Sequence, residues 1–162
     1  MSRILSLNEH YIKNIDEEEL FGLLKIYCQE FKKGVNDLKK NTLIKSMKFL
    51  KNKAKTLEDI YQNAQYILND SIQISAEDLK LLDGLSKKIL KDFLDKYEKI
   101  LEINKVNLEK IIKGLIEKHK TNFKGGGQPL RIVLSGAKFG PGIYDIILSL
   151  DKKEIVRRLH KF

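Results

Sequence analysis

Apolar residues recur every three or four positions along most of this 162-residue chain, and this helical period constrains the fold more than any other feature. The pattern is clearest at Leu57, Ile60 and Ala64, which follow the helix-start signal Thr56-x-x-Asp59. The other predicted inward-facing stripes are Leu20, Leu23, Leu24, Tyr27 and Phe31; Leu43, Met47, Leu50 and Ala54; Ile89, Leu90, Phe93, Leu94, Tyr97, Ile100 and Leu101; and Leu108, Ile111, Ile112, Leu115 and Ile116. No segment alternates apolar and polar residues as a half-buried strand does. The sequence therefore predicts an all-α fold made of small helical bundles.

The helical pattern is interrupted at Asn69-Asp70-Ser71, so residues 69–75 are the predicted boundary between two helical lobes. We expect residues 1–12 to be the tail of a preceding element, residues 13–72 to form the first lobe and residues 73–162 the second. Within the second lobe, Asn107 is the predicted cap of a helix over the following apolar residues.

Glycine and proline punctuate the last third of the chain. Residues 120–128, with three successive glycines, are predicted to form a linker. Pro129 suits a first helical position, because its missing N–H would be unpaired there anyway. Gly136 suits the residue after a helix end, and Gly142 suits the start of the next helix. The final helix is predicted to begin with a capping box over residues 151–154.

The net charge is +9, and the positive charge is unevenly distributed. Residues 82–162 hold 18 Lys and Arg against 10 Asp and Glu, and residues 32–55 hold nine Lys against one Asp. Such clusters fit a polyanionic partner such as nucleic acid. A lysine-rich solvated surface explains the same numbers, so charge alone leaves both interpretations open.

Several kinds of chemistry find no support in the sequence. The single cysteine, Cys28, cannot form an internal disulfide and lies on an apolar helical face, which predicts a small core residue. The three histidines lack the spacing of metal ligands. The triple glycine lacks the Lys-Ser/Thr pair of a phosphate-binding loop, although residual phosphate binding at the following helix start stays open. No apolar run approaches the roughly 20 residues that span a bilayer. We therefore expect a cytoplasmic protein with no cofactor or metal site.

Three motifs occur in an order that is familiar from one enzyme family. The last third contains Gln128-Pro129-Leu130-Arg131, a Pro141-Gly142 turn and a closing Arg157-Arg158-Leu159. Upstream lie Leu7-Asn8-Glu9-His10-Tyr11-Ile12 and Leu50-Lys51-Asn52-Lys53-Ala54-Lys55-Thr56-Leu57. This ordered set resembles the C-terminal anticodon-binding region of bacterial glutamyl-tRNA synthetases, which are class I enzymes. The resemblance covers nearly the whole chain.

The resemblance implies an anticodon-binding domain of the helix-cage type, with tRNA as its partner. The family's two ATP-site motifs, of the "HIGH" and "KMSKS" types, do not occur in this sequence. The chain by itself is therefore not expected to attach glutamate to tRNA. In the intact enzyme that reaction uses ATP and magnesium in a catalytic domain, which is the chain's second expected partner. The alternative is a helical protein-interaction module without RNA binding.

The resemblance also implies specific RNA contacts. Arg131 matches a family residue that contacts the anticodon. Gly140, Pro141 and Ile143 match the turn that packs against the anticodon bases, although many relatives have Thr or Ser in place of Gly140. Lys113 falls where some relatives have Arg, and a phosphate contact is implied there. Single-stranded RNA is read by such stacking and edge contacts. A solvated surface residue is the alternative for Arg131 and for Lys113.

Gln29 carries the implication about specificity. In some relatives an Arg near this position reads the third anticodon base and rejects glutamine tRNA, whereas relatives that charge both tRNAs tend to have Gln. An amide in place of a five-donor cation would relax the demand for one base. We therefore hypothesise relaxed discrimination between the two tRNAs. The alternative is an ordinary exposed helix residue.

Overall fold

The computed structural model describes residues 9–31, 39–69, 72–136 and 142–162 of the chain. The backbone groups into two compact units, unit 1 over residues 1–70 and unit 2 over residues 71–162. No strand occurs in these four described ranges. The predicted all-α fold is confirmed.

Unit 1 is built around a long helix that packs against two others. Its helices are α1 (Glu9–Asn14), α2 (Glu17–Glu30), α3 (Lys40–Leu50), α4 (Leu57–Asn63) and α5 (Gln65–Leu68), and a 3-10 turn (Lys51–Lys53) follows α3. Helix α2 packs against α3 and α4, and α1 packs against the 3-10 turn. Phe31 is an exception to the predicted stripes, because it lies just past the end of α2 and is 39% exposed. Leu24, Met47 and Ile60 are fully buried, as the helical period predicts. Burying each contributes about 1.5–3 kcal/mol.

Local signals fix two helix starts in unit 1. Asp16 caps α2 by accepting a hydrogen bond from the Glu18 N–H at 3.2 Å. Thr56 and Asp59 form the complete capping box at the start of α4. The Lys51 side chain is only 13% exposed, although it is charged. Its ammonium group donates to the Ile15 carbonyl at 3.2 Å, because α1 ends against this turn and leaves that carbonyl available.

Unit 2 is a bundle around one central helix. Its helices are α6 (Ala76–Leu79), α7 (Gly84–Glu98), α8 (Lys105–Lys118), α9 (Phe123–Ser135), α10 (Ile143–Ser149) and α11 (Lys152–Leu159). Helix α9 packs against α7, α8, α10 and α11. Two predicted details differ. Asn104, not Asn107, caps α8, and Leu101 lies beyond the end of α7, fully exposed.

The prediction of a glycine-rich linker over residues 120–128 is wrong, because α9 begins at Phe123 and includes the three glycines. Asn122 caps the helix by accepting from the Gly125 N–H at 2.8 Å, and Pro129 lies in the helix interior. A Cβ on Gly126 would lie 3.0 Å from Cγ1 of Ile116, so the glycine allows α8 and α9 to approach closely. Interior glycine and proline cost roughly 1 and 3 kcal/mol. Burial of Leu130 and its apolar neighbours toward the C-terminal end of α9 offsets that cost.

The end of α9 follows the sequence prediction. Gly136 adopts φ = 81°, and its N–H donates to the Ile132 carbonyl at 2.8 Å. This left-handed conformation is one that glycine adopts without steric cost. Gly142 then precedes the first residue of α10 in the N-cap position, also as predicted.

Candidate nucleic-acid interface

Arg131 lies on α9, the helix around which unit 2 is packed. It is half-buried, and its neighbours Leu130 and Ile132 are buried in the core. The backbone carbonyl of Arg131 accepts a hydrogen bond from the Ser135 hydroxyl at 2.7 Å, one turn later in the helix. The guanidinium therefore extends from a well-anchored backbone. Its planar set of five N–H donors suits a base edge or a phosphate.

The predicted turn that follows α9 is only partly described. Gly140 and Pro141 lie outside the described residues. Ile143 is the first residue of α10 and is 2% exposed, so its side chain packs in the core of unit 2. We infer that Ile143 anchors the start of α10 and that its side chain is not presented at the surface.

The two remaining predicted contacts have exposed side chains. Lys113 lies on α8, which packs directly against the helix that carries Arg131. Arg131, Ile143 and Lys113 thus lie on three helices of unit 2 that pack against one another. Gln29 lies in the last turn of α2 in unit 1, where α2 ends at Glu30.

An ion pair between the buried Arg158 and the half-buried Glu154 attaches α11 to the end of α9. Arg158 is 2% exposed, and its guanidinium donates to the Leu134 carbonyl at 2.5 Å and to the Glu154 carboxylate at 2.8 Å. Arg157 donates to the same carboxylate at 2.5 Å. These two arginines hold the pKa of Glu154 at about 2, so the carboxylate stays charged at neutral pH. The pair fixes the helix end that precedes the predicted contact turn.

The sequence prediction missed this pair because Glu154 was assigned to a capping box. Asp151 does occupy the N-cap position of α11, but its side chain makes no capping hydrogen bond. The Glu154 carboxylate instead forms ion pairs with Arg157 and Arg158. The available signal was the spacing of Glu154 and Arg158, four residues apart on one helix, which favours such a pair.

Positive charge is concentrated on exposed helix faces in both units. Helix α3 has no acidic residue, and its Lys40, Lys45 and Lys48 are exposed. In unit 2, Lys118 at the end of α8 and His119, the residue that follows it, both bond the Asp92 carboxylate of α7, at 2.9 and 2.7 Å. Part of the lysine charge there is neutralised locally, whereas α3 presents its charge without a carboxylate on the same helix.

Three further features of the described residues concern the kinds of chemistry considered from the sequence. Cys28 is buried, as the sequence predicts for a core residue. Within the four described ranges there is no cluster of acidic, histidine or cysteine side chains that could hold a metal ion. The helices described there also include none with the length and apolar character needed to span a bilayer.

Comparison with known proteins identifies the family. The sequence matches the family profile described as "Anticodon binding domain" over residues 10–162. The glutamate–tRNA ligase of Pelagibacter ubique is 54% identical over 159 residues, which are 98% of this chain and 34% of that protein. A glutamate–tRNA ligase 2 from a Nitratiruptor species is 32% identical over 162 residues, 99% of this chain and 34% of that protein. The chain thus spans about a third of the length of these curated relatives.

Solved structures agree in fold. A crystal structure of a glutamate tRNA ligase from Elizabethkingia meningosepticum superposes with a TM-score of 0.75 over 95% of this chain and 30% of that chain, at 19% identity. The glutamate-tRNA synthetase from Elizabethkingia anophelis superposes with a TM-score of 0.70 and 20% identity. The profile match over nearly the whole sequence, on a helical fold that these structures share, shows that this chain belongs to the anticodon binding domain family, in the form related by sequence to glutamate–tRNA ligases.

Proposed function

We propose that this chain binds the anticodon loop of glutamate tRNA as part of a glutamate–tRNA ligase. The observation that carries the proposal is the family match over residues 10–162. In the complete enzyme, this contact would select the tRNA that receives glutamate in the cytoplasm. The proposed reaction attaches L-glutamate to that tRNA with ATP and magnesium, which bind in a catalytic domain and not in the residues described above.

The physical properties of the chain support an RNA partner. Its net charge is +9, and lysines are exposed on helices of both units. Anionic phosphates are attracted to such surfaces, and unpaired bases are read by side chains held on a rigid scaffold. We propose that Arg131 contacts a base edge or phosphate, that Lys113 contacts a phosphate and that Gly140 and Pro141 contact the bases. Ile143 contributes by anchoring α10 in the core.

Binding to tRNA tests the proposal directly. A filter-binding assay with a glutamate tRNA transcript should give affinity that falls with salt, with a log–log slope of about −0.7 per phosphate neutralised in the unpaired loop. A helical protein-interaction module would retain no tRNA under the same conditions. Absence of salt-dependent tRNA binding by the wild-type chain would therefore contradict the proposal.

Arg131→Ala is expected to weaken tRNA binding by about 1–3 kcal/mol, because a contact to a base edge or phosphate is lost. Circular dichroism should be unchanged, since the half-buried side chain is removed from a helix whose core residues stay in place. The matched control is Lys124→Ala, which removes one exposed positive charge from the first turn of the same helix. Full-strength binding by Arg131→Ala would show that the assignment of this residue is wrong.

Gln29→Arg is expected to create a preference for the glutamate anticodon loop over the glutamine one. The wild-type chain should bind the two stem-loops with affinities within about tenfold, which corresponds to about 1.4 kcal/mol. The Arg variant offers a fixed fork of donors to one base and should widen the ratio. The control, Gln62→Arg, adds the same charge at an exposed position on α4. A wild-type preference above tenfold would refute the idea of relaxed discrimination.

A further inference from the structure

A groove on unit 2 runs between α7 and the residues at the end of α11, and we call it the α7–α11 groove. Its volume is about 440 Å³. Lys87, Lys88 and Lys91 of α7 line it, together with Leu94 and Leu159. Phe162 also lines the groove and is 41% exposed. None of the family motifs recognised in the sequence includes the α7 residues.

The three lysines outnumber the one carboxylate that lines the groove. Lys87 and Lys91 are one turn apart, about 6 Å along the helix axis, and Lys88 directly follows Lys87 in the sequence. Within the described residues none of the three ammonium groups forms an ion pair, although the Asp95 carboxylate also lines the groove. Like charges at this spacing destabilise a helix by a few tenths of a kcal/mol. An anionic partner would relieve that repulsion.

Three of the side chains that line the groove are apolar. Leu159 is buried, Leu94 is half-buried and the Phe162 ring is partly open to solvent. An aromatic ring beside lysines is the usual composition of a single-stranded nucleic-acid site. There the base stacks on the ring and ammonium groups contact the phosphates, and stacking is worth about 1–3 kcal/mol per base. The groove volume of about 440 Å³ is in the range of small-ligand sites, about 300–1,000 Å³.

We propose that the α7–α11 groove holds one unpaired nucleotide of the bound RNA, with its base on Phe162 and its flanking phosphates on the α7 lysines. This inference rests on the proposed function, because it adds a second RNA contact to that of Arg131. It differs from the motif-based site in its residues and in making no contact to a base edge. Recognition here is by stacking and charge, which tolerates any base.

Two groups of variants separate the two contributions. Phe162→Ala should weaken binding of a glutamate tRNA transcript at least about fivefold without changing the salt slope, because no charge is removed. The double variant Lys87→Gln/Lys91→Gln should reduce the magnitude of the log–log salt slope by about 1.4, since two phosphate contacts are lost. The matched control, Lys96→Gln/Lys99→Gln, removes two exposed charges at the C-terminal end of α7, outside the groove, and should change neither quantity.

Photo-cross-linking with 4-thiouridine in the same transcript provides an independent readout. A cross-link to Phe162 or an adjacent residue, identified by mass spectrometry, supports the proposal. If the groove variants bind like the wild type while Arg131→Ala is weakened, the groove holds no RNA and the proposed function stands. An acidic peptide would then be the better-suited partner. If the wild-type chain itself fails to bind tRNA, the proposed function fails first.

Discussion

Arg158→Met is expected to lower the free energy of unfolding of unit 2 by about 3 kcal/mol. The substitution leaves the buried Leu134 carbonyl without the donor that lies 2.5 Å away, and it removes one of the two cations from Glu154. An unsatisfied buried carbonyl alone costs about 1–3 kcal/mol. Methionine fills a similar volume, so the effect reports the lost hydrogen bonds and charge. Urea unfolding followed by circular dichroism measures the change.

The neighbouring arginine provides the matched control for this measurement. Arg157 bonds the same carboxylate, but its side chain is 43% exposed. Arg157→Met should therefore cost at most about 1 kcal/mol, as exposed ion pairs do. Arg158→Lys should recover less than half of the loss, because an ammonium group cannot reproduce the planar donor fork. Equal losses of unfolding free energy for Arg157→Met and Arg158→Met would show that the burial of Arg158 does not add to the stability of unit 2.

Gly136→Ala is expected to destabilise unit 2 by about 2–3 kcal/mol, the sum of a backbone cost and a steric cost. An alanine at φ = 81° costs about 1–2 kcal/mol through the clash of its Cβ with the backbone. The added Cβ would also lie 3.0 Å from the Gln73 carbonyl oxygen and 2.6 Å from a methyl group of Ile72. The first of these contacts is with backbone, which cannot rotate away as a side chain can. Thermal unfolding measures the change.

Gly22→Ala is the matched control, and it should change stability in the opposite direction. Gly22 lies within α2, and apart from its chain neighbours and the nearby backbone of α2 no atom lies within 4 Å of an added Cβ there. Alanine in a helix interior is favoured over glycine by about 0.5–1 kcal/mol. A neutral result for Gly136→Ala would mean that the helix end relaxes into another conformation. A destabilising result for Gly22→Ala would mean that free space for a Cβ and a helical backbone are not sufficient for alanine to stabilise this position.

Two capping-box patterns occur in this chain, but only one of them forms a capping box. The difference comes from tertiary contacts. Thr56 and Asp59 match the capping-box pattern and form both of its hydrogen bonds. Asp151 and Glu154 have the same spacing, yet Glu154 pairs with two arginines. Arg158 lies close to Glu154 because its guanidinium bonds the end of α9. A capping hydrogen bond worth about 1 kcal/mol is replaced by a partly buried charge pair.

In the candidate site, too, some features are visible in the sequence and others only in the tertiary structure. The motif around Arg131 was visible in the sequence, because a local pattern of glycine, proline and arginine carries the resemblance. The α7–α11 groove was not visible in the sequence, because its lysines and Phe162 are about 70 residues apart. Whether side chains so far apart share a groove depends on how α11 packs against α7. Helical periodicity gives each helix its buried face but does not choose its neighbour.

The sequence by itself determined the helical class, the buried stripes and the helix boundaries that depend on short-range hydrogen bonds, such as the caps at Thr56 and Gly136. These features depend on interactions within about four residues, which the local pattern records. Only the tertiary structure decided that α9 runs through three glycines and Pro129, and that Arg158 is buried. Both outcomes have unfavourable local energies, and packing against helices distant in sequence offsets them.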